Sequence, residues 1–139
     1  MSQKREKIAV LIEAFHGQKL DARYLGYFAC FNQGRFFEAH EVLEDLWLTD
    51  RNGPEGAFYK GLIQLAGAFV HLEKKRTSPA CALFRLALGN FEKYPEIHHQ
   101  LHLRNLAGQI GEWLVALEDS GTSGVQPLPG EKPLLTLEE

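Results

Sequence analysis

The chain is poor in the features that would declare its chemistry. It holds two cysteines in 139 residues, Cys30 and Cys81, both in apolar surroundings and neither beside another cysteine at metal-ligand or redox spacing. Both are read as reduced core residues of a cytosolic protein. Positive charge is not in excess: 15 Lys and Arg stand against 18 Asp and Glu, a net charge of −3. That balance argues against general binding to nucleic acid or to an anionic membrane surface. Long hydrophobic runs are also lacking. The run at 8–12 is shorter than the apolar core of a signal peptide. The stretch 61–72, the longest without a charged residue, falls short of the roughly 18–20 residues that span a bilayer. A soluble, cytoplasmic chain is expected. There is no glycine-rich phosphate loop, since the 13 glycines are scattered at helix ends and turns, and no Ser-His-Asp or Cys-His spacing that suggests nucleophilic catalysis.

What is present is helical periodicity in a chain of one-domain size. Ile8, Leu11, Ile12 and Phe15 predict a first helix ending before Gly17. Further helices are expected over 22–33, 36–48, 55–76, from Ser78-Pro79 to Tyr94, and 97–117. Gly34, Asn52-Gly53-Pro54 and Pro95 are the breaks between them. No convincing strand is found. The expected fold is an all-α, single-domain bundle of five to six antiparallel helices over 1–119. A flexible linker and an extended Pro- and Leu-containing arm follow over 120–139, with the arm either frayed, lying on its own domain or lying on a partner subunit.

The fourth helix is the informative segment. Phe58, Leu62, Leu65, Phe69 and Leu72 form one face and Tyr59, Ile63, Ala66 and Val70 the opposite one, so the helix is apolar on nearly all sides and belongs inside the bundle. Lys60, Gln64 and His71 nevertheless form a polar stripe on it, with Gly67 and Ala68 leaving room for another helix to come close. On the third helix, Phe36, Ala39, Leu43, Leu46 and Trp47 build the apolar face, and Glu38, Glu41 and Asp45 are expected to point to solvent. His40 sits at the edge of that face with Glu44 one turn on. The stripe and this pair are expected to share a seam in which Lys60 neutralises Glu44.

Three readings of the seam stand. It is a satisfied buried network that fixes helix register, a divalent-metal site such as zinc held by His40, Glu44 and His71, or a pocket for a small organic ligand. His40-Glu41-Val42-Leu43-Glu44 departs from the zincin His-Glu-x-x-His helix at its second histidine. Glu96-Ile97-His98-His99 has the Glu-x-x-His form of a di-iron ligand pair. It lies next to a proline and has no second copy. His98, His102, Asn105, Gln109 and Glu112 read as the solvated face of the sixth helix.

The block from Phe31 to Trp47, containing Gly34-Arg35-Phe36-Phe37-Glu38-Ala39-His40-Glu41-Val42-Leu43-Glu44, resembles the DUF309 family, as do Tyr59-Lys60-Gly61-Leu62-Ile63-Gln64 and His71. These are small all-helical bacterial and archaeal proteins without an established function. The resemblance implies that the family's recurring polar residues fall on His40, Glu41, Glu44, Trp47, Gln64 and His71, with a lysine at position 60 where glutamine is usual. The function expected is an uncharacterised ligand-binding or protein-interaction module with His40, Glu44, Trp47, Lys60, Gln64 and His71 as the binding residues. The alternative is a divalent-metal-dependent hydrolase in which Glu41 or a water acts as base. The expected partner is a protein or small molecule. Self-association is also expected, because the aromatic second helix and the Leu-rich tail offer apolar surface.

Overall fold

Six α-helices account for most of the residues described by the computed structural model, 3–123 and 135–137. They are α1 (Gln3–Ile12), α2 (Ala22–Asn32), α3 (Phe36–Asp50), α4 (Gly56–Glu73), α5 (Thr77–Phe91) and α6 (Leu103–Ser123), with a 3-10 turn at Glu13–Phe15 after α1. Local chemistry sets the boundaries of α2. The Asp21 carboxylate accepts from the Arg23 backbone N–H at 2.8 Å, capping the start. At the other end Gly34 takes a left-handed φ of +78°. The Gly34 N–H then donates to the Phe31 carbonyl at 2.9 Å and the Arg35 N–H to the Cys30 carbonyl at 2.8 Å. That pair of bonds is the Schellman closure that favours glycine at this position.

Consecutive helices pack against one another from α2 to α6, and α1 lies across α2 and α3. As its pattern requires, α4 is central: Phe58, Leu62, Leu65, Ala66 and Phe69 are all buried. Tyr27 of α2 is fully buried beside it and donates its hydroxyl to the Leu62 carbonyl at 2.6 Å, which satisfies its polar atom. Cys30 and Cys81 are buried free thiols. No helix among the described residues is long and apolar enough to cross a membrane.

Several expectations are corrected. The chain 97–102 is a short antiparallel hairpin, β1 (Ile97–His98) and β2 (Leu101–His102), and the last helix begins only at Leu103. His99 and Gln100 adopt φ of +47° and +66°, a turn that no helix can contain, and Leu101 is buried as a strand residue. Ser78 and Pro79 lie inside the first turn of α5, which starts at Thr77. Proline is tolerated there because first-turn N–H groups have no helical acceptor. Helix α6 runs to Ser123, beyond the linker expected from residue 120. The rest of that linker and Pro127, Pro129 and Gly130 lie outside the described residues.

The last described segment lies on its own domain. Leu135 is buried, its backbone N–H and carbonyl are both held at 2.8 Å by the Asn32 side chain, and Leu137 pairs with Leu101 as an antiparallel bridge. Together with the burial of Tyr24, Tyr27, Phe28 and Phe31, this covers within the chain part of the apolar surface that had suggested self-association.

Two substitutions test this packing. A Cβ at Gly61 would stand 2.6 Å from the buried Phe91 ring and 3.2 Å from Asn90 Cβ, so Gly61→Ala is expected to destabilise the fold by about 1–3 kcal/mol in urea titration. Asn32→Ala removes both bonds to Leu135 and is expected to cost about 1–2 kcal/mol. It should also speed amide exchange at 135 and 137 while the α4 amides keep their protection.

Candidate functional site

The seam residues divide among three contacts. His40 Nε2 lies 3.5 Å from Glu44 Oε2, one helical turn on, but the cation on Glu44 is Lys4 of α1, at 2.9 Å. Lys60 instead rests over the Trp47 ring, 4.4 Å from its centroid, joining α4 to α3 by a cation–π contact. Gln64 turns the other way and accepts from Asn90 Nδ2 of α5 at 2.8 Å. A Cβ on Gly67 would meet Leu83 of α5 at 3.2 Å. The small residues do admit a neighbouring helix, and that helix is α5; of the stripe, Lys60 meets α3 and Gln64 meets α5.

The acidic residues of α3 do not face open water. Glu41 is buried and paired with Lys7 of α1, which also lies 3.8 Å from Glu38. Asp45 receives Arg23 Nη1 of α2 at 3.0 Å. The packing of α1 and α2 over α3 brings these cations onto the carboxylates, and helical periodicity alone carries no trace of it. Glu41 therefore meets a lysine where a general base would need a water. His40, Glu44 and His71 are not gathered into a three-donor group among the described residues.

Both histidines of the seam keep a buried Nδ1 with no hydrogen-bond partner among the described residues. Burial pushes the His40 imidazole below its ordinary value, against the opposing pull of Glu44. For Glu44, the Lys4 hydrogen bond is the chief influence and holds the carboxyl below the usual range, against the upward effect of its burial.

A second polar cluster lies where the sequence suggested a solvated helix face. Glu55, the residue before α4, meets His98 and His99 of the hairpin. His98 Nε2 is 2.8 Å from Glu55 Oε2 and 3.1 Å from Oε1, and His99 Nε2 is 2.9 Å from the same Oε2. Burial raises the Glu55 carboxyl, and the hydrogen bonds and charges of the two histidines together outweigh it, leaving the group below its ordinary range. Aromatic rings surround the cluster. Phe58 meets His98 edge-on at 4.8 Å and Tyr59 stacks on His99 at 6.4 Å, while the Tyr24 hydroxyl donates to the His99 carbonyl at 2.9 Å. Nearby burial and the Glu55 charge push the Tyr59 hydroxyl up to about 12. The His98-His99 doublet was visible in the sequence. Its partner 43 residues upstream was not.

The depressed His40 imidazole fixes the sign of an acid effect. As pH falls below about 6.5, the unfolded chain takes up a proton at this position before the folded one does, so stability is lost. Urea titrations at pH 7.5 and 5.5 are expected to show a larger loss for the natural chain than for His40→Gln. Equal losses would remove His40 from the account.

Residues 24–83, from α2 into α5, match the family model of a domain of unknown function, DUF309. A protein of Bacillus subtilis strain 168 named only as uncharacterized protein YpuF is 36% identical over 58 residues. That alignment covers 41% of this chain and 33% of the relative, so the likeness spans about one third of that protein's length. The matched family segment includes both the α3–α4 seam and Glu55 but stops before His98 and His99. Over residues 24–83, less than half of its length, this chain is similar to the DUF309 family.

Proposed function

We propose that the DUF309 segment is a ligand-binding module that takes a carboxylate-bearing partner on the ridge between α3 and α4. The observation that carries this is Lys60. It is half-buried with its Nζ over the Trp47 ring, and no carboxylate among the described residues lies within ion-pair distance of it; Glu44, in direct contact with Lys4, feels its charge only from farther away. A lysine whose ammonium rests on an indole with no carboxylate in direct contact is an anchor for an incoming anion. His40, beside it on α3, retains a buried ring nitrogen able to take part in a hydrogen bond. Gln64 and His71, on the same helix as Lys60, extend the polar lining toward α5.

The alternative of a metal-dependent hydrolase on this ridge asks for His40, Glu44 and His71 around one ion and for Glu41 as base. The ion pair between Glu41 and Lys7 and the dispersal of the three donors favour the binding reading.

Thermal-shift titration separates the outcomes, using small mono- and dicarboxylates in one arm and short Asp/Glu-rich peptides in the other. A true ligand at one hundred times its Kd is expected to stabilise the natural chain by about 2.7 kcal/mol. Lys60→Gln and His40→Ala should lose most of that gain. Stabilisation that is equal in the natural chain and Lys60→Gln, or absent across both arms, would sink the proposal.

A further inference from the structure

A pair of adjacent histidines in a β-strand points to opposite faces, because successive side chains alternate. His98 and His99 do not. His99 leaves the extended region for a φ of +47° and Gln100 follows at +66°, in a two-residue turn of the kind that Asn-Gly occupies without strain. Left-handed backbone at residues other than glycine costs on the order of 1 kcal/mol each and persists only where the surroundings impose it. The result of this turn is that the two rings lie side by side, their centroids 4.3 Å apart, with both Nε2 atoms aimed at one carboxylate oxygen of Glu55.

We propose that Glu55, His98 and His99 form a binding site for a divalent transition-metal ion of the zinc class, separate from the α3–α4 ridge. The three side chains offer one carboxylate oxygen and two imidazole nitrogens whose donor atoms all lie within 4.8 Å of one another, the one such group among the described residues. Two neutral imidazoles and a carboxylate are a donor set suited to zinc, iron(II), cobalt or nickel and poorly suited to calcium or magnesium.

The distances from the imidazoles to the carboxylate also suit a metal. Ligands at about 2.0–2.1 Å from a tetrahedral zinc stand about 3.3 Å apart. The present separations of 2.8 and 2.9 Å between the Nε2 atoms and Oε2 therefore need to open by only a few tenths of an ångström. The Glu55 carboxylate only accepts, so each Nε2 facing it carries a proton; ligation through Nε2 requires that proton to move to Nδ1 or to leave to solvent. All three side chains are partly solvent-exposed, which leaves a path for the ion and room for a water in a fourth position.

The framework behind the donors is held from both sides. The Tyr94 hydroxyl donates to the Pro54 carbonyl at 2.8 Å and accepts from the Phe58 N–H at 2.9 Å, fixing the chain on either side of Glu55. On the hairpin side, Tyr24 holds the His99 carbonyl and the Leu103 N–H donates to Glu96 at 2.8 Å, closing the base of the hairpin. Donors preset in this way lose little freedom on binding, which favours affinity.

The experiment is calorimetric titration of the full chain, without a histidine tag and after chelator treatment, with zinc chloride, followed by the visible spectrum of its cobalt(II) adduct. One zinc per chain with a Kd in the micromolar range or tighter is expected, and a cobalt spectrum of low-coordinate nitrogen and oxygen ligation. Glu55→Gln, His98→Asn and His99→Asn should each weaken binding by about tenfold or more, while His16→Asn, at an exposed residue that is not one of the three donors, should leave it unchanged. Glu55→Gln keeps a hydrogen-bond acceptor for the hairpin, so a fall in its zinc affinity with unchanged stability reports the metal and not the fold. Imidazole NMR signals give a readout on the natural chain alone: zinc should shift those of His98 and His99. Absence of 1:1 binding at millimolar zinc would overturn the proposal. So would undiminished affinity in the variants, or shifts falling on His40 and His71 instead.

Discussion

The close approach of α5 to α4 governs the arrangement of this protein more than any other contact. Gly61 and Gly67 remove side chains where Phe91 and Leu83 come against the α4 surface, and the intervening Gln64 joins Asn90 across the same line. Because Phe91 ends α5, its seating on Gly61 also fixes where the chain leaves the helix. Three residues later Tyr94 lies within reach of Pro54 and Phe58, and its hydroxyl ties the end of α5 to the start of α4. Glu55 lies between those two anchor points. The hairpin begins just beyond Pro95, so His98 and His99 arrive opposite the carboxylate. A packing contact between two helices thus sets the geometry of a polar cluster more than thirty residues away in sequence from one of its members.

Charge follows a similar logic at the other end of the bundle. A buried carboxylate is costly without a cation, and Glu41 is the one buried charged residue among those described. Its partner comes from α1, which lays Lys4 and Lys7 over Glu44 and Glu41 while Arg23 of α2 serves Asp45. With those acids in direct contact with cations of α1 and α2, Lys60 lies on its tryptophan and reaches Glu44 only through longer-range charge. The two polar regions differ in kind: the α3–α4 ridge carries a lysine on an indole, and the hairpin cluster gathers a carboxylate and two imidazoles.

Much of the fold was legible because helix formation depends on nearby residues. The break between α2 and α3 follows from Gly34, and the central position of α4 from apolar residues on nearly every side of it. The hairpin was not legible. Ile97-His98-His99-Gln100-Leu101 has no turn glycine, and its apolar residues fit a helical face as well as a strand. What decides in favour of the hairpin is tertiary: Leu101 is buried, Leu137 pairs with it, and Tyr24 holds the turn carbonyl.

For the candidate sites, the sequence by itself determined which side chains share a helix face, since a repeat of 3.6 residues places His40 with Glu44 and Lys60 with Gln64. It also determined that α4 must be buried and that Gly67 would admit a neighbour. Only the tertiary structure decided which neighbour that is, which cation meets each acid, and that Glu55 stands against two histidines more than forty residues away. The physical reason is range. Propensity and periodicity act within a turn or two of the chain, whereas ion pairing and ligand geometry depend on how separate elements are packed together.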